Sequence, residues 1–574
     1  MPMNHKWLLL ITLALTTLTS CNRSHDVVVV GGTPGGIMTA VSASRMGHSV
    51  LLLERTDNLG GLPANGLGAT DIATRGATTG LFLEFVNRVK EYYVQTYGAD
   101  SQQVKDCSSG YHFEPSVAAR VFNEMLGECP GIKVLTMRQF DSDPSNLKMA
   151  AGRIEEITVL NRNSGRQEKY KGKVFVDATY EGDLGAAAGV PFRIGREGMD
   201  EFHEPIAGKV YKYWRGPVGP GTTYEGDSTI QAYNYRLCLT KDKANQVPFR
   251  KPENYDRNEY VSLIDDVLYG YHTGVLTMEV TQDQREANKK IILDGGRTQI
   301  PDDRWGVGKI TNMVNLPNGK TDANNQHMAF ISTDLPEENQ PWPTASWEWR
   351  DQFAKRLRDY TEGLFWFAAN DEELPESFRK AVQEWGYAAD EYPDNDNFPR
   401  QVYVREGRRF EGMYFFTAND AEPPTDRGPV HRDGITASHY ALDSHAHHKR
   451  EPGRIHLDGF LSYPTSVYNV PYGVIVPKSV SNLLLPVPVS GSHIGFSTLR
   501  MEPCWMALGQ ATGTAASIAI EDKCAVQEVS VPKLQDELLS QGATLVYMEG
   551  HSPSDEDFIA LQKEALSKAS VSGN

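Results

Sequence analysis

Two histidines and one arginine in the last quarter of the sequence are the side chains best suited to acid–base chemistry. His445 ends the run Asp443-Ser444-His445, and His493 ends the run Ser490-Gly491-Ser492-His493. Because imidazole titrates near neutral pH, either ring could take a proton from an O–H or N–H group of a substrate. Arg500 could bind an anionic or polyol substrate, or form a salt bridge with Glu502 or another carboxylate. His493 is the favoured base, and the alternative is a structural role for its ring within the turn.

A glycine-rich turn near the start of the chain joins a predicted strand to a predicted helix. Val27 to Val30 is a β-branched run typical of a strand buried on both faces, and Gly31-Gly32-Thr33-Pro34-Gly35-Gly36 follows it. Dinucleotide-binding folds need glycine for the tight turn, for close approach of the pyrophosphate and for helix–strand packing. Thr33 takes the second of these three places. The turn predicts a phosphate site at a helix N-terminus, and the alternative is a turn without a ligand.

The next predicted strand, Val50 to Leu53, ends in Glu54 and Arg55. A carboxylate at this point of a βαβ unit hydrogen-bonds the ribose hydroxyls of the cofactor. Together with the six turn residues, Glu54 and Arg55 are therefore predicted to bind a dinucleotide.

A second glycine-rich stretch follows directly, with Gly60 and Gly61 leading to Gly66, Gly68 and Asp71. Simple NAD-binding units usually continue into the next helix at this point, whereas here the backbone can approach a longer cofactor. The stretch favours FAD over NAD, and the alternative is a surface loop with turn glycines.

The run from Asn482 to Ala516 predicts a buried strand, a Ser/Gly turn and a helix that begins near Met501. A helix N-terminus aimed at a flavin ring favours the negative charge that develops on reduction, and Arg500 could add to this effect. The run therefore predicts that the chain returns to complete one cofactor site, and the alternative is an ordinary αβ unit. Buried strands are predicted at Val474 to Val476 and at Leu483 to Val489.

These runs resemble the FAD-dependent oxidoreductase family of two-domain, glutathione-reductase-like flavoproteins. The resemblance is carried by VVVVGGTPGGI at 27–37, LLLERTDNLGGLPANGLGATD at 51–71, VFVDATYEGDLGAAAGV at 174–190 and QAYNYRLCLT at 231–240. It continues in residues 398–420, in Asp443-Ser444-His445 and in residues 470–516. The resemblance implies bound FAD, with Gly60, Gly61, Ala178 and Gly509 as further cofactor-binding residues.

The expected fold is α/β, with a Rossmann-like FAD-binding domain of the glutathione-reductase type assembled from N- and C-terminal segments. Residues 195–430 are aromatic, rich in proline and poor in βα units, as expected of an inserted α+β substrate domain. The predicted boundaries are 25–194 and 431–525 for the two parts of the FAD-binding domain, with a helical extension at 526–574.

The first 21 residues read as a lipoprotein signal peptide. The apolar run from Trp7 to Leu18 is too short to span a bilayer, and Leu18-Thr19-Ser20-Cys21 resembles a bacterial lipobox. The expectation is an exported protein, acylated on Cys21, anchored to a membrane only through lipid and facing the periplasm. The alternative is an ordinary secretory signal with a chance cysteine. A tethered exported enzyme favours a tightly held cofactor over dissociable NAD(P)H.

Composition excludes several classes of partner. The 574 residues carry a formal net charge of −17 and no Lys/Arg cluster of the kind that neutralises phosphates, so no nucleic acid is expected. Five cysteines besides Cys21 include no CxxC motif, and no metal site is expected. One disulfide, Cys107 to Cys129, is left open.

The expected function is oxidation of a CH–OH or CH–NH group in a small organic substrate by hydride transfer to FAD, with a carbohydrate as the favoured substrate. The alternative is a flavin-stabilised binding lipoprotein of a glycan-uptake system that has no turnover. An NAD-dependent dehydrogenase is disfavoured by the second glycine-rich stretch.

Overall fold

The computed structural model describes residues 24–212, 214–273, 304–422 and 430–569, together with residues 287, 290 and 291. The predicted signal peptide and Cys21 lie outside the described residues. Within these ranges, no helix has the length and apolarity needed to cross a bilayer. Cys107 and Cys129 are free buried thiols, so the disulfide left open by the sequence is not formed.

The strands of the described residues fall into one large sheet, a second smaller sheet and three two-stranded pairs. In chain order they are β1 His25–Val30, β2 Val50–Leu53, β3 Ile132–Leu135, β4 Arg138–Gln139, β5 Leu147–Ala150, β6 Arg153–Asn161, β7 Arg166–Asp177, β8 Phe192–Arg193, β9 Leu237–Thr240, β10 Gln246–Val247, β11 Thr311–Leu316, β12 Lys320–Asn325, β13 Gly386–Ala388, β14 Arg409–Phe410, β15 Gly434–Ser438, β16 Leu442–Ser444, β17 Leu461–Tyr463, β18 Tyr468–Pro471 and β19 Leu483–Leu484.

The helices of the described residues cover the faces of these sheets. In chain order they are α1 Pro34–Arg45, α2 Gly61–Asn65, α3 Leu81–Tyr97, α4 Gln102–Asp106, α5 Pro115–Gly127, α6 Asp183–Ala187, α7 Met199–Phe202, α8 Ser262–Leu268, α9 Trp347–Asn370, α10 Glu376–Gln383, α11 Ala418–Ala421, α12 His493–Leu499, α13 Glu502–Asp522, α14 Val531–Ser540 and α15 Phe558–Ser567.

The large sheet contains a parallel layer in the order β3-β2-β1-β7-β19. Val27 to Val30 are almost completely buried, because Val27 and Val29 pack in one hydrophobic cluster while Val28 and Val30 pack in a second cluster on the other face of the sheet. Strand β7 pairs with two different strands along its length. Its first half pairs antiparallel with β6, and its second half pairs parallel with β1.

The chain returns to this sheet near its C-terminus. Leu483 and Leu484 pair in parallel with Phe175 and Val176 of β7, more than 300 residues earlier in the sequence. The predicted α/β fold, with one domain assembled from both ends of the chain, is confirmed.

Helices α1 and α13 pack closely across this return. Any side chain at Gly509 would collide with the Gly35 carbonyl, and a side chain at Gly513 would collide with the Thr39 carbonyl. The Thr39 hydroxyl also donates to the Gly509 carbonyl at 3.1 Å. Small residues therefore bring the C-terminal helix onto the helix that opens the glycine-rich turn.

The second sheet lies within the predicted insert and has the order β10-β13-β9-β12-β11, antiparallel throughout. A buried ion cluster ties it to the first domain. The Lys320 ammonium of β12 lies 2.6 Å from Glu114, at the start of α5, and 3.2 Å from Glu391. Because charges buried this deeply need partners, the cluster couples β12 of the insert to the start of α5.

Two predicted strands were wrong in extent. Residues Tyr472–Ile475 form a 3₁₀ turn in place of the strand predicted at Val474 to Val476. Of Leu483 to Val489, only Leu483 and Leu484 pair with a neighbour. Pro486 and Pro488 lack N–H donors and cannot continue a ladder, and burial alone does not distinguish a strand from another buried segment.

Candidate functional site

The glycine-rich turn adopts the conformation that its sequence predicts. Gly31 has φ +106°, and a Cβ atom there would lie 2.7 Å from the Ala178 carbonyl group, so glycine is required. A Cβ atom at Gly36 would collide with the Gly31 carbonyl oxygen. Thr33 caps α1 by accepting a hydrogen bond from the Gly36 N–H at 3.2 Å, and its hydroxyl donates to the Ala178 carbonyl at 2.7 Å. Thr33 therefore holds the turn closed where many dinucleotide turns have glycine.

A cavity of about 320 Å³, which we call the dinucleotide cavity, begins at this turn. Gly31, Thr33, Glu54, Arg55 and Gly61 line it. The Glu54 carboxylate accepts hydrogen bonds from the Gly32 N–H at 2.8 Å and from Thr56. These bonds orient the carboxylate and leave lone pairs for ribose hydroxyls.

The remaining predicted cofactor residues support this cavity without lining it. Gly32 orients Glu54, and Pro34 is the first residue of α1. Gly60 donates its N–H to the Gly32 carbonyl at 2.8 Å. Ala178 accepts the Thr33 hydroxyl, whereas Gly35, Gly36 and Gly509 serve the packing of the turn and of α1 on α13.

The cavity has unfilled hydrogen-bonding capacity where phosphates would lie. In the described part of the chain, the N–H groups of Thr33 and Gly61 have no protein acceptor. Both residues line the cavity beside the N-terminus of α1. Unpaired backbone N–H groups at a helix N-terminus match the needs of a pyrophosphate, so these residues fit a dinucleotide cofactor.

Two residues of the insert that the sequence did not single out form part of the wall of the dinucleotide cavity. Helix α9 places Trp347 under the Arg55 guanidinium, 3.9 Å from the ring centre, and Asp351 pairs with Arg55 at 2.6 Å. Both side chains line the dinucleotide cavity. They lie almost 300 residues from Arg55 in sequence, and no local motif marks them.

The N-terminus of α13 meets the cavity through Tyr180. The Tyr180 hydroxyl accepts a hydrogen bond from the Leu62 N–H at 3.1 Å and donates to the Glu502 carboxylate at 2.6 Å. The other Glu502 oxygen is buried without a partner among the described residues. Burial raises the pKa of Glu502 to about 8, opposed only in part by the Tyr180 hydrogen bond. Glu502 is therefore a neutral acid over most of the physiological range.

Replacing Glu502 by glutamine is expected to flatten the pH dependence of stability. A carboxyl whose folded pKa is raised stabilises the fold fully below its unfolded pKa of about 4.5, and this contribution is lost as pH rises through the folded pKa of about 8. The Glu502→Gln variant keeps the acceptor for Tyr180 but cannot ionise. Between pH 5 and 9, the free energy of unfolding of the variant should fall by about 2–4 kcal/mol less than that of the parent.

Urea unfolding followed by circular dichroism measures this difference. Glu521→Gln is the matched control, because Glu521 is exposed near the other end of the same helix. If the free energy of unfolding changes with pH equally in the parent and in the Glu502→Gln variant, Glu502 is ionised in the folded protein.

His493, the favoured base, is held on all sides by protein. Its Nδ1 lies 2.8 Å from the Glu406 carboxylate, and its Nε2 lies 3.2 Å from the Ser444 hydroxyl. Its backbone N–H donates to Glu197 at 2.7 Å. With both ring nitrogens engaged, His493 has no free position for a substrate, and this geometry matches the structural alternative.

Arg500 does not pair with Glu502. Its guanidinium donates to the Tyr403 hydroxyl at 2.9 Å and to the Asp443 carbonyl at 2.8 Å, and it lies 3.3 Å from the Asp443 carboxylate. Arg236 lies on the same tyrosine ring, 5.8 Å from its centre, and pairs with Asp71 at 3.1 Å. The Tyr440 hydroxyl lies 3.5 Å from the Asp71 carboxylate. We use the term polar cluster for Arg500, Tyr403, Asp443, Arg236, Asp71, Tyr440 and His445.

His445 sits at the edge of the polar cluster with one ring nitrogen available. Its Nδ1 lies 2.8 Å from the Asp334 carboxylate, whereas among the described residues the polar partner near its Nε2 is the Asp443 carboxylate, at 3.9 Å. Burial lowers the pKa of His445, and Arg405 lowers it further, outweighing the effect of Asp334. Burial alone would raise the pKa of Asp334, but Arg405 and His445 more than offset it, so that pKa is lowered. The pair is a neutral imidazole oriented by an ionised carboxylate.

Strand β16 joins the three predicted catalytic residues. Asp443 contacts Arg500 and faces His445, and Ser444 contacts His493. The sequence runs that carry these residues, some 50 residues apart, therefore meet at one place.

The polar cluster and the dinucleotide cavity lie on opposite sides of one chain segment, residues 402–405. Val402 and Val404 line the dinucleotide cavity, whereas Tyr403 contacts Arg500 and Arg405 pairs with Asp334 at 2.9 Å. Among the described residues, no group of histidine, cysteine and acidic side chains could hold a metal ion.

The family model described as FAD dependent oxidoreductase matches residues 26–538. The chain belongs to this family. It is an FAD-dependent oxidoreductase with a Rossmann-type FAD-binding fold, and the dinucleotide cavity is where its residues fit FAD. The expected enzyme class, an FAD-dependent oxidoreductase, and the expected cofactor, FAD, are both confirmed. No curated protein sequence matches the chain significantly.

Solved structures match limited parts of this chain. Glycerol-3-phosphate dehydrogenase from Bacillus halodurans complexed with FAD matches with 14% identity, over 34% of this chain and 44% of that chain, with a TM-score of 0.21. T. acidophilum thioredoxin reductase matches with 18% identity, over 27% and 35% of the two chains, with a TM-score of 0.16. Aquifex aeolicus GidA matches with 15% identity, over 40% and 35%, with a TM-score of 0.21. This chain therefore matches less than half the length of each of these three proteins.

Proposed function

We propose that this FAD-dependent oxidoreductase oxidises a CH–OH or CH–NH group of a small organic substrate, with a carbohydrate as the favoured class, and that His445 is the base. The observation that carries the proposal is the His445–Asp334 pair at the edge of the polar cluster. Nδ1 of His445 lies 2.8 Å from Asp334, and Nε2 is the ring nitrogen left for a substrate. A general base needs a ring nitrogen that can reach the substrate proton. His445 meets this requirement better than His493 does, because both ring nitrogens of His493 are engaged.

The ionisation states of the pair suit proton abstraction. An ionised Asp334 accepts the Nδ1–H of His445, which leaves the lone pair on Nε2. Because burial lowers the pKa of His445, the ring is neutral at neutral pH and can accept a proton. The resulting imidazolium would be stabilised by Asp334, as a histidine base oriented by a carboxylate requires.

The reaction balances with these groups. The proton of the substrate hydroxyl or amine moves to Nε2 of His445. The hydrogen on the carbon that bears this group leaves with its electron pair, and the product has a C=O or C=N bond. FAD, when bound, supplies the acceptor for that hydride. Arg500 and Tyr403 would hold the substrate oxygen in place through charge-assisted hydrogen bonds.

The balance of charge in the polar cluster supports a neutral polar substrate. The side chains of Asp71 and Asp443 are 24% and 13% exposed, while Arg236 and Arg500 are buried against them. Arg236 pairs with Asp322 as well as Asp71, so neither arginine is left without a carboxylate. Paired carboxylates, arginines and tyrosine hydroxyls offer both acceptors and donors to a hydroxyl-rich molecule, and they leave no uncompensated cation for an anionic one.

The test is anaerobic reduction of the bound flavin by a panel of neutral sugars, polyols, amines and sugar acids. Loss of oxidised flavin absorbance with a neutral sugar or polyol is the expected result. Reduction by amines or sugar acids, with none by sugars or polyols, would overturn the carbohydrate assignment.

We also propose that the protein works outside the cytoplasm, attached through an acylated Cys21. The support is the short apolar run Trp7 to Leu18 followed by a lipobox-like sequence. Mass spectrometry of the N-terminal peptide should find diacylglycerol on Cys21 as the first residue, and Cys21→Ser should release the protein from the membrane fraction. An intact Met1 or an unmodified Cys21 would contradict this location.

A further inference from the structure

A second cavity of about 330 Å³ lies beside the proposed base, apart from the dinucleotide cavity. Asp334, the partner of His445, forms part of its wall. Phe460 forms another part and packs edge-on against the His445 ring, with 5.5 Å between ring centres. A molecule in the second cavity would therefore contact the two groups that orient His445.

The charged side chains of the second cavity are already paired. Arg356 lies 2.7 Å from Glu259 and 2.9 Å from Glu338, and Lys449 shares Glu338 at 2.9 Å. Arg450 lies 3.5 Å from Asp266. Because each of these three cations has a carboxylate partner, the described wall of the cavity offers none of them unpaired to a phosphate or a carboxylate.

Neutral groups in the same wall are open to a ligand. Among the residues that the structure describes, the Asn325 amide nitrogen and the Ser262 hydroxyl have no protein partner. Phe330 adds an apolar ring with Arg450 stacked 3.7 Å from its centre. A few neutral donors and acceptors beside aromatic rings suit the hydroxyls and the apolar C–H faces of an uncharged sugar.

We propose that the second cavity is a binding site for an uncharged sugar or polyol, with Asn325, Ser262 and the oriented carboxylate of Asp334 as hydrogen-bonding groups. This inference rests on the proposed function for its ligand class alone. The site itself is defined by residues outside the polar cluster, so its binding can be measured without turnover.

Titration calorimetry of the flavin-loaded protein with glucose, maltose, cellobiose and lactose tests the proposal. At least one of these sugars should bind, and Ser262→Phe, which fills the cavity from the start of α8, should weaken that binding about tenfold or more. Phe330→Leu, which keeps an apolar side chain but removes the ring, should weaken the same binding. Ser567→Phe on the exposed face of α15 is the control and should leave it unchanged.

Two comparisons separate this inference from the proposed function. Binding should persist in His445→Gln, in which flavin reduction by substrate is expected to be lost. Glucuronate and glucose 6-phosphate should bind more weakly than glucose. The proposal is overturned if none of the four sugars binds, if Ser262→Phe and Phe330→Leu bind as tightly as the parent, or if the charged derivatives bind better than glucose. Sugar binding without any flavin reduction would support the second cavity as a sugar site and contradict the proposed oxidation of a carbohydrate.

Discussion

Replacing His445 by glutamine is expected to slow the reduction of bound flavin by substrate by about 10²- to 10⁴-fold, the usual contribution of a positioned general base. Glutamine can donate to Asp334 through its amide, so the carboxylate keeps a partner, but it cannot accept the substrate proton at neutral pH. The loss should appear in the rate at saturating substrate. Flavin content should stay at the parent level, because His445 does not line the dinucleotide cavity. Stopped-flow absorbance under anaerobic conditions measures the rate.

Two variants sharpen this experiment. His551→Gln replaces an exposed histidine near the C-terminus and should reduce flavin as fast as the parent. His493→Gln tests the other candidate base. If His493→Gln loses the reaction while folding and binding FAD normally, and His445→Gln keeps it, the base is His493 and the proposed role of His445 is wrong.

Replacing Gly36 by alanine is expected to weaken FAD binding by roughly 10- to 100-fold, since overpacking a tight site costs about 1–3 kcal/mol. The added methyl group would collide with the Gly31 carbonyl oxygen and would lie 3.1 Å from the Ala178 side chain. The turn must open to accept it, and the Thr33 cap on the Gly36 N–H would be lost. Purified protein should carry much less flavin, and apoprotein titrated with FAD should show the weaker affinity.

Gly127→Ala is the matched control for this variant. Gly127 is also helical, as the last residue of α5, and a Cβ atom there meets nothing within 4 Å. It should bind FAD as the parent does. Full flavin content in the Gly36→Ala variant would mean that the glycine-rich turn does not hold the cofactor.

The strand, turn and helix beside the dinucleotide cavity were predictable because the constraints on them are local. Gly31 needs a positive φ, Gly36 needs close packing, and Glu54 ends the neighbouring strand, so turn, helix and strand are fixed within 30 residues. The return of the chain at Leu483 could also be predicted, since a strand buried on both faces has a distinct composition.

The walls of the sites were not predictable in the same way. Trp347 and Asp351 reach the dinucleotide cavity from a helix in the insert, and Asp334 reaches His445 from a loop more than 100 residues away. Tertiary packing creates these contacts, and no spacing in the sequence records them. His493 was favoured because its turn lies in a flavin-like run, yet the Glu406 carboxylate and the Ser444 hydroxyl occupy both of its nitrogens.

The most direct test of proton abstraction by His445 is the pH dependence of anaerobic flavin reduction by substrate. Because the pKa of His445 is lowered, the rate in the parent should rise with pH through an apparent pKa below about 6.5 and then level off. His445→Gln should lose this limb and remain slow at every pH. A His445→Gln variant that reduces flavin as fast as the parent, with the same rise with pH, would contradict the assignment of His445 as the base.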